Sequence, residues 1–288
     1  MKHPLATYNV SFGKVESDLQ DFFVAYKNIE IRDFLPENKS DEKIKEALKR
    51  YRVFLYSLRE YLDDCFHVVK TFIPPQPQFR YNKNQYDWLK QNIIMPHMVS
   101  FLSKIDTYKK FLDSIVNELK HNNAVLNGIV FYDTITKDFS LGYYIANVFN
   151  GRYEPVEKIH QKFHNQDTAF SFARDIRYNS CNIFQLSEEL VEFIVNGLKL
   201  QIPVPTQERT PNEERRLLYE DISNLPRYFF PDEYQKDVPS VVLRENSALK
   251  LELPSKLSLR PLHHNRVLLY HSGDGKTRSF ALLYYSGE

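Results

Sequence analysis

Two long stretches of the 288-residue chain repeat their apolar residues at alternating spacings of three and four. The first covers residues 44–69 and the second residues 98–119. Because such spacing puts the apolar side chains on one stripe of an α-helix, each helix must bury its stripe against a partner. Ser40 is a suitable N-cap for the first helix, and Pro74-Pro75 must end it. We therefore expect an antiparallel helical hairpin within a bundle.

Further elements are predicted on both sides of this hairpin. Residues 128–150 contain two runs of β-branched and aromatic residues around the polar turn Thr136-Lys137-Asp138, which predicts a β-hairpin. Residues 168–198 return to apolar spacings of three, four and seven, which predicts a third long helical region. The first forty residues predict one short helix.

The C-terminal third has a different character. Six prolines between residues 201 and 240 predict a connector with one short helix. Residues 241–288 alternate apolar and polar residues and contain the turn Ser272-Gly273-Asp274-Gly275, which predicts a small antiparallel β subdomain. The fold class is therefore α+β: an antiparallel helical bundle over residues 1–200 with an inserted β-hairpin, a proline-rich connector and a C-terminal antiparallel sheet.

Charge and hydropathy restrict the functional class. The formal net charge of +1 denies the chain the global basic field of a dedicated nucleic-acid binder, so any such role needs a local patch. No apolar run approaches the roughly 18 residues that cross a bilayer, and the N-terminus lacks the apolar core of a signal peptide. We expect a soluble, cytoplasmic protein without membrane contact. Cys65 and Cys181 are too few for a disulfide scaffold, and Cys65 should be buried.

Neither a cofactor nor a metal is predicted. The segment Gly273-Asp274-Gly275-Lys276-Thr277 lacks the first glycine of a phosphate-binding loop and the helix that must follow it. His160 and His164 have the four-residue spacing of some zinc ligands, but no third ligand is evident, and surface histidines are expected.

A basic strip on the first long helix is a candidate binding surface. Lys45, Lys49, Arg52 and Arg59 all lie away from the apolar seam, so they could follow the phosphates of a nucleic acid. An ordinary solvated helix face produces the same pattern.

The helical hairpin, the segment Lys120-His121-Asn122-Asn123 after it and the next helix together resemble the HEPN group of bundle domains over residues 40–200. Members of that group are common in bacterial toxin and phage-defence systems and often cleave RNA. Their signature, an arginine and a histidine with four to six residues between them, is missing from this sequence. The resemblance implies that His121 acts with Arg174 or Arg177, the histidine handling a 2′-hydroxyl proton and the arginine stabilising the phosphate.

Two functions are predicted on these grounds. The first is a cytosolic protein-interaction or regulatory protein with a protein partner, within a bacterial phage-defence or toxin system. The 19 tyrosines and 21 phenylalanines suit an interface and equally suit a core. The alternative is a metal-independent endoribonuclease of HEPN-like type acting on RNA through His121, Arg174 and Arg177. An exposed apolar patch favours the first function, and a groove shared by His121 and the two arginines favours the second.

Overall fold

The structure is a computed structural model, and it confirms the α+β class. It describes residues 4–34, 42–71, 96–198, 213–236, 240–243, 249–252, 265–270, 279–280 and 283–284. The helices are α1 (Pro4–Tyr26), α2 (Glu42–Lys70), α3 (Pro96–His121), α4 (Phe172–Leu198) and α5 (Glu213–Ser223), with 3-10 helices at Ile31–Phe34 and Pro231–Gln235. The strands are β1 (Val125–Asp133), β2 (Phe139–Phe149), β3 (Arg152–Pro155), β4 (Phe170–Ser171), β5 (Ser240–Leu243), β6 (Leu249–Glu252), β7 (Asn265–Tyr270) and β8 (Ser279–Phe280).

The predicted hairpin of α2 and α3 is present and antiparallel. Arg59 in the middle of α2 pairs with Asp113 of α3, while Tyr56, nearer the start of α2, contacts Lys120 at the end of α3. The apolar seam of α2 is buried along its whole length, and Cys65 lies within it. Ser40, Pro74-Pro75 and the segment 273–277 lie outside the described residues.

The N-terminal helix was predicted to be short, and this prediction is wrong. α1 has 23 residues and packs antiparallel along α2, with Lys14 close to Glu60 and Asp21 close to Arg50. Six of its buried or partly buried side chains form a third seam with spacings of four and three. The seam consists of Tyr8, Phe12, Val15, Leu19, Phe22 and Tyr26. Three such helices and α4 bury their stripes against one another in a single apolar cluster.

The main sheet has six strands in the order β7-β1-β2-β3-β8, and β4 pairs with β2. β1 and β2 form the predicted hairpin. Two strands from the C-terminal segment, β7 and β8, join this sheet by pairing with β1 and β3, which the sequence analysis did not predict. An isolated two-stranded hairpin is only marginally stable. The pairing with β7 gives β1 a second hydrogen-bonded neighbour and so stabilises the hairpin. Within the described part of the chain, β5 and β6 form a separate two-stranded sheet.

Both faces of the β1-β2 hairpin are covered. Val130 and Ile145 belong to the cluster of the helical bundle, whereas Phe131 and Tyr144 belong to a second cluster with Phe230. This alternation is the period of two expected of a strand. Glycine is required at Gly142, where an added Cβ would lie 2.2 Å from the main-chain oxygen of Phe170 and within 2.6 Å of the Phe230 ring. The sheet therefore fixes the start of α4 closely against β2.

Candidate functional site

The exposed face of α2 is narrow, because α1, α3, α4 and β1 all pack against this helix. In its first half the exposed side chains include Lys45, Lys49 and Arg52. Lys49 lies 3.7 Å from Glu46, a separation at which a surface ion pair contributes little. Three of the four residues in the predicted strip thus lie side by side on one exposed stripe.

Tyr56 lies one turn further along the same stripe and contacts a positive charge from α3. The Lys120 ammonium is 4.7 Å from the centre of the Tyr56 ring, within the range of a cation–π contact. Partial burial raises the pKa of the Tyr56 phenol, and the neighbouring Arg52 charge opposes that rise. The basic strip on α2 therefore continues through an aromatic ring to the end of α3.

His121 is the last residue of α3, directly after Lys120, and its side chain is exposed. A cation in the last turn of a helix is favoured by the partial negative charge of the free carbonyl groups, which explains the local placement of Lys120. We call the residues of this region the basic–aromatic surface. It consists of Lys45, Lys49, Arg52, Tyr56, Lys120 and His121. The sequence analysis missed Tyr56, although its position four residues after Arg52 places it on the same face.

Arg59 lies apart from the other residues of the predicted strip. Its guanidinium contacts the carboxylates of Asp63 and Asp113, and Lys109 lies 3.2 Å from Asp113 and 3.6 Å from Asp63. The Arg59 side chain is only 21% exposed. These four residues form an ion-pair network that joins α2 to α3, so the charge of Arg59 is already balanced.

Arg177 is buried, and its guanidinium binds main-chain oxygens. It donates to the carbonyls of Ala173 and Pro226 at 2.9 Å and to that of Leu225 at 2.6 Å. Burial lowers the pKa of this guanidinium to about 10. In these contacts Arg177 ties α4 to the segment that follows α5.

Arg174 is 8% exposed, and its guanidinium lies 5.5 Å from the centre of the Tyr178 ring. The same ring contacts Phe111 of α3 at 5.5 Å between centroids. His121 is ten residues beyond Phe111, about 15 Å along the axis of α3. The described contacts therefore do not join His121 to Arg174 and Arg177. They place it beside Lys120, at the end of the basic–aromatic surface.

Two buried carboxyl groups hold the start of α4. Asp175 accepts hydrogen bonds from the hydroxyls of Tyr51 and Tyr143, the latter at 2.7 Å. Glu233 accepts from the amide and hydroxyl of Ser171, at 3.0 and 2.5 Å, and from the amide of Phe230 at 2.9 Å. Burial raises the pKa of both carboxyl groups, and that of Glu233 reaches about 7. Their hydrogen bonds are all internal, which indicates a structural role.

No cluster of three potential metal ligands occurs in the described ranges. The expectation that His160 lies at the surface is wrong. Its Nε2 accepts a hydrogen bond from the amide of Ile145 at 2.9 Å, and burial lowers its pKa to about 3. His164 is exposed, with a φ of 48°. The two imidazoles therefore do not share a helix face. Within the described ranges, no helix is both long enough and apolar enough to span a bilayer.

Comparison of the chain with protein-family models, with curated proteins and with solved structures found no match. The resemblance to HEPN domains therefore stays a prediction.

Proposed function

We propose that this protein binds single-stranded RNA, and that the basic–aromatic surface contacts the phosphate backbone and a base. The observation that carries the proposal is the position of Tyr56, which follows Arg52 by one turn on the exposed stripe of α2 and has the Lys120 ammonium over its ring. Proteins that bind single strands combine cations that follow the phosphates with aromatic rings on which bases stack. From Lys45 to Tyr56 the surface spans about 16 Å of helix, enough for a few nucleotides.

Among the described residues, the exposed apolar side chains are distributed over several elements of the chain. Large exposed apolar residues lie on six different parts of the described chain. They are Val10, Val24, Val53, Ile135, Val148, Val191 and Leu217. A protein-docking surface is expected to be a continuous apolar patch, and single exposed residues need no special explanation. We therefore propose that the predicted interaction role is the recognition of RNA within a regulatory or phage-defence assembly.

The binding test uses a short fluorescent single-stranded RNA and measures anisotropy as protein is added. The double variant Arg52→Ala/Lys120→Ala removes the two charges beside Tyr56. The matched control, Arg152→Ala/Lys162→Ala, removes two exposed charges from β3 and the loop after it. We expect about a tenfold or larger loss of affinity in the first variant and less than about a twofold change in the second. Equal affinity in both variants would refute the proposed surface.

A second candidate function is RNA cleavage without a metal, because an exposed histidine ends the same surface. In this proposal His121 takes the proton of a ribose 2′-hydroxyl as the 2′-oxygen attacks the adjacent phosphorus. The bond to the 5′-oxygen breaks, that oxygen takes a proton from water, and a 2′,3′-cyclic phosphate remains. Lys120 and Arg52, in place of Arg174 and Arg177, would stabilise the developing negative charge.

The cleavage test incubates labelled RNA with protein in EDTA and resolves the products on a gel. We expect the wild type to yield fragments with a cyclic phosphate, and the His121→Ala variant to bind RNA without cutting it. Cleavage that persists in His121→Ala would exclude this residue, while binding without cleavage by the wild type would leave RNA binding as the function.

A further inference from the structure

A groove between α3 and α4, lined from the first half of α3, has a different chemistry from the basic–aromatic surface. Its volume is about 310 Å³. Thr107 and Tyr108 line it from α3, and Tyr178, Asn182 and Gln185 line it from α4. Ligand pockets typically begin at about 300 Å³, so the groove is sized for a small molecule.

Tyr178 is held rigidly in the wall of this groove. The Arg174 guanidinium lies 5.5 Å from its ring centre. Tyr108 and Phe111 contact the ring nearly perpendicularly, with interplanar angles of 70° and 82°. The hydroxyl of Tyr108 is in turn fixed by a 2.9 Å hydrogen bond to the buried Asn179. A preorganised aromatic wall reduces the entropy that the protein side chains lose when a ligand binds.

Except for Lys104, the polar groups that line the groove are uncharged and point to recognition by hydrogen bonds. Asn182 donates from Nδ2 to the main-chain oxygen of Tyr178 at 2.8 Å, which fixes its amide plane. Gln185 brings a second amide one turn further along the same helix. Lys104 also lines the groove, and its charge is balanced by Glu189. An amide presents both donors and an acceptor, so two amides can read the edge of a planar polar ring.

We infer that this groove binds a neutral planar heterocycle of the nucleobase class, as a free base or nucleoside. The ring of Tyr178 supplies a stacking surface, and the Arg174 charge draws electron density from it, which favours an electron-rich purine. The balanced charge of Lys104 disfavours a free anion as the ligand. This site does not depend on the proposed RNA surface, because its residues on α3 end at Tyr108, about 18 Å of helix before Lys120.

In the test, the full chain is titrated with adenosine, guanosine, cytidine and uridine. Binding is measured by saturation-transfer NMR and by calorimetry. Methyl glucoside and inorganic phosphate serve as probes of the sugar and anion alternatives. We expect millimolar or tighter binding of a purine nucleoside, with at least a tenfold loss in Asn182→Ala/Gln185→Ala. The control Gln20→Ala removes an amide from a helix-lined groove between α1 and α5 and should bind normally.

Three results would overturn the inference. They are no nucleoside binding at millimolar concentration, binding that the Asn182→Ala/Gln185→Ala variant retains, and equally strong binding of methyl glucoside. Failure here is distinguishable from failure of the RNA surface, because uncharged nucleosides do not need the charges of Arg52 and Lys120. The Arg52→Ala/Lys120→Ala variant is therefore expected to bind nucleosides as well as the wild type does.

Discussion

The carboxyl group of Glu233 makes the stability of the fold depend on pH. It is fully buried, and burial raises its pKa from the ordinary 4.5 to about 7. Between these two values the folded state keeps a proton that the unfolded chain has lost, so stability falls as the pH rises. The full effect of such a rise is about 3 kcal/mol, and about 2 to 3 kcal/mol of it falls between pH 5 and pH 8.

The assay is urea denaturation of the wild type and of Glu233→Gln across this pH range. The amide introduced by this substitution cannot titrate, so the variant lacks this component while other titrating groups contribute equally to both proteins. We expect the unfolding free energy of the wild type, taken relative to that of the variant, to fall by about 2 to 3 kcal/mol between pH 5 and pH 8. A constant or rising difference would refute the argument that burial dominates at Glu233.

Four other substitutions test the packing and the buried polar contacts by the same denaturation assay. Gly142→Ala is expected to cost about 1 to 3 kcal/mol or more because the added Cβ meets main chain, whereas Gly13→Ala, with open space in α1, should stabilise by about 0.5 to 1 kcal/mol. Arg177→Leu should cost about 2 to 4 kcal/mol because two carbonyls outside α4 lose their donor. Burial lowers the pKa of His160 to about 3, so the unfolded chain binds a proton that the folded protein does not. The unfolding free energy of the wild type, taken relative to that of His160→Gln, should therefore fall by about 3 kcal/mol from pH 7 to pH 4. An unchanged unfolding free energy in Gly142→Ala or Arg177→Leu would contradict the close packing or the hydrogen bonds described there. Equal acid sensitivity of His160→Gln and the wild type would contradict the burial of a neutral imidazole.

Local periodicity was sufficient to predict the helical hairpin and the β-hairpin. The seams of α2 and α3 are long and regular, and they are buried as expected wherever the structure describes their side chains. The same period runs through α1 from Tyr8 to Tyr26, but the polar residues among its shorter apolar runs led to a prediction of one short helix. The spacing of four and three from Tyr8 to Tyr26 is present in the sequence, but it is recognised only when the short apolar runs are taken together as one helix.

Long-range partners were not predictable from spacing. Nothing local indicates that β7 pairs with β1, since strand pairing depends on which edge the folded chain leaves open. The roles of Arg177 and Arg59 likewise follow from distant groups, which are the carbonyls of Leu225 and Pro226 for one and Asp113 for the other. A sequence pattern identifies exposed and buried faces, but it does not say which arginine already has its charge or donors engaged.

The strip on α2 was predicted for Lys45, Lys49, Arg52 and Arg59. Arg59 is instead engaged by Asp63 and Asp113, and the exposed strip extends to Lys120. The most direct test of its function is the salt dependence of RNA binding. The logarithm of the binding constant should fall linearly with the logarithm of salt concentration, with a slope near −0.7 for each phosphate contact. The account predicts that Arg52→Ala/Lys120→Ala reduces the magnitude of this slope by about 1.4 relative to the wild type. An unchanged slope, or no salt-dependent binding by the wild type, would contradict it.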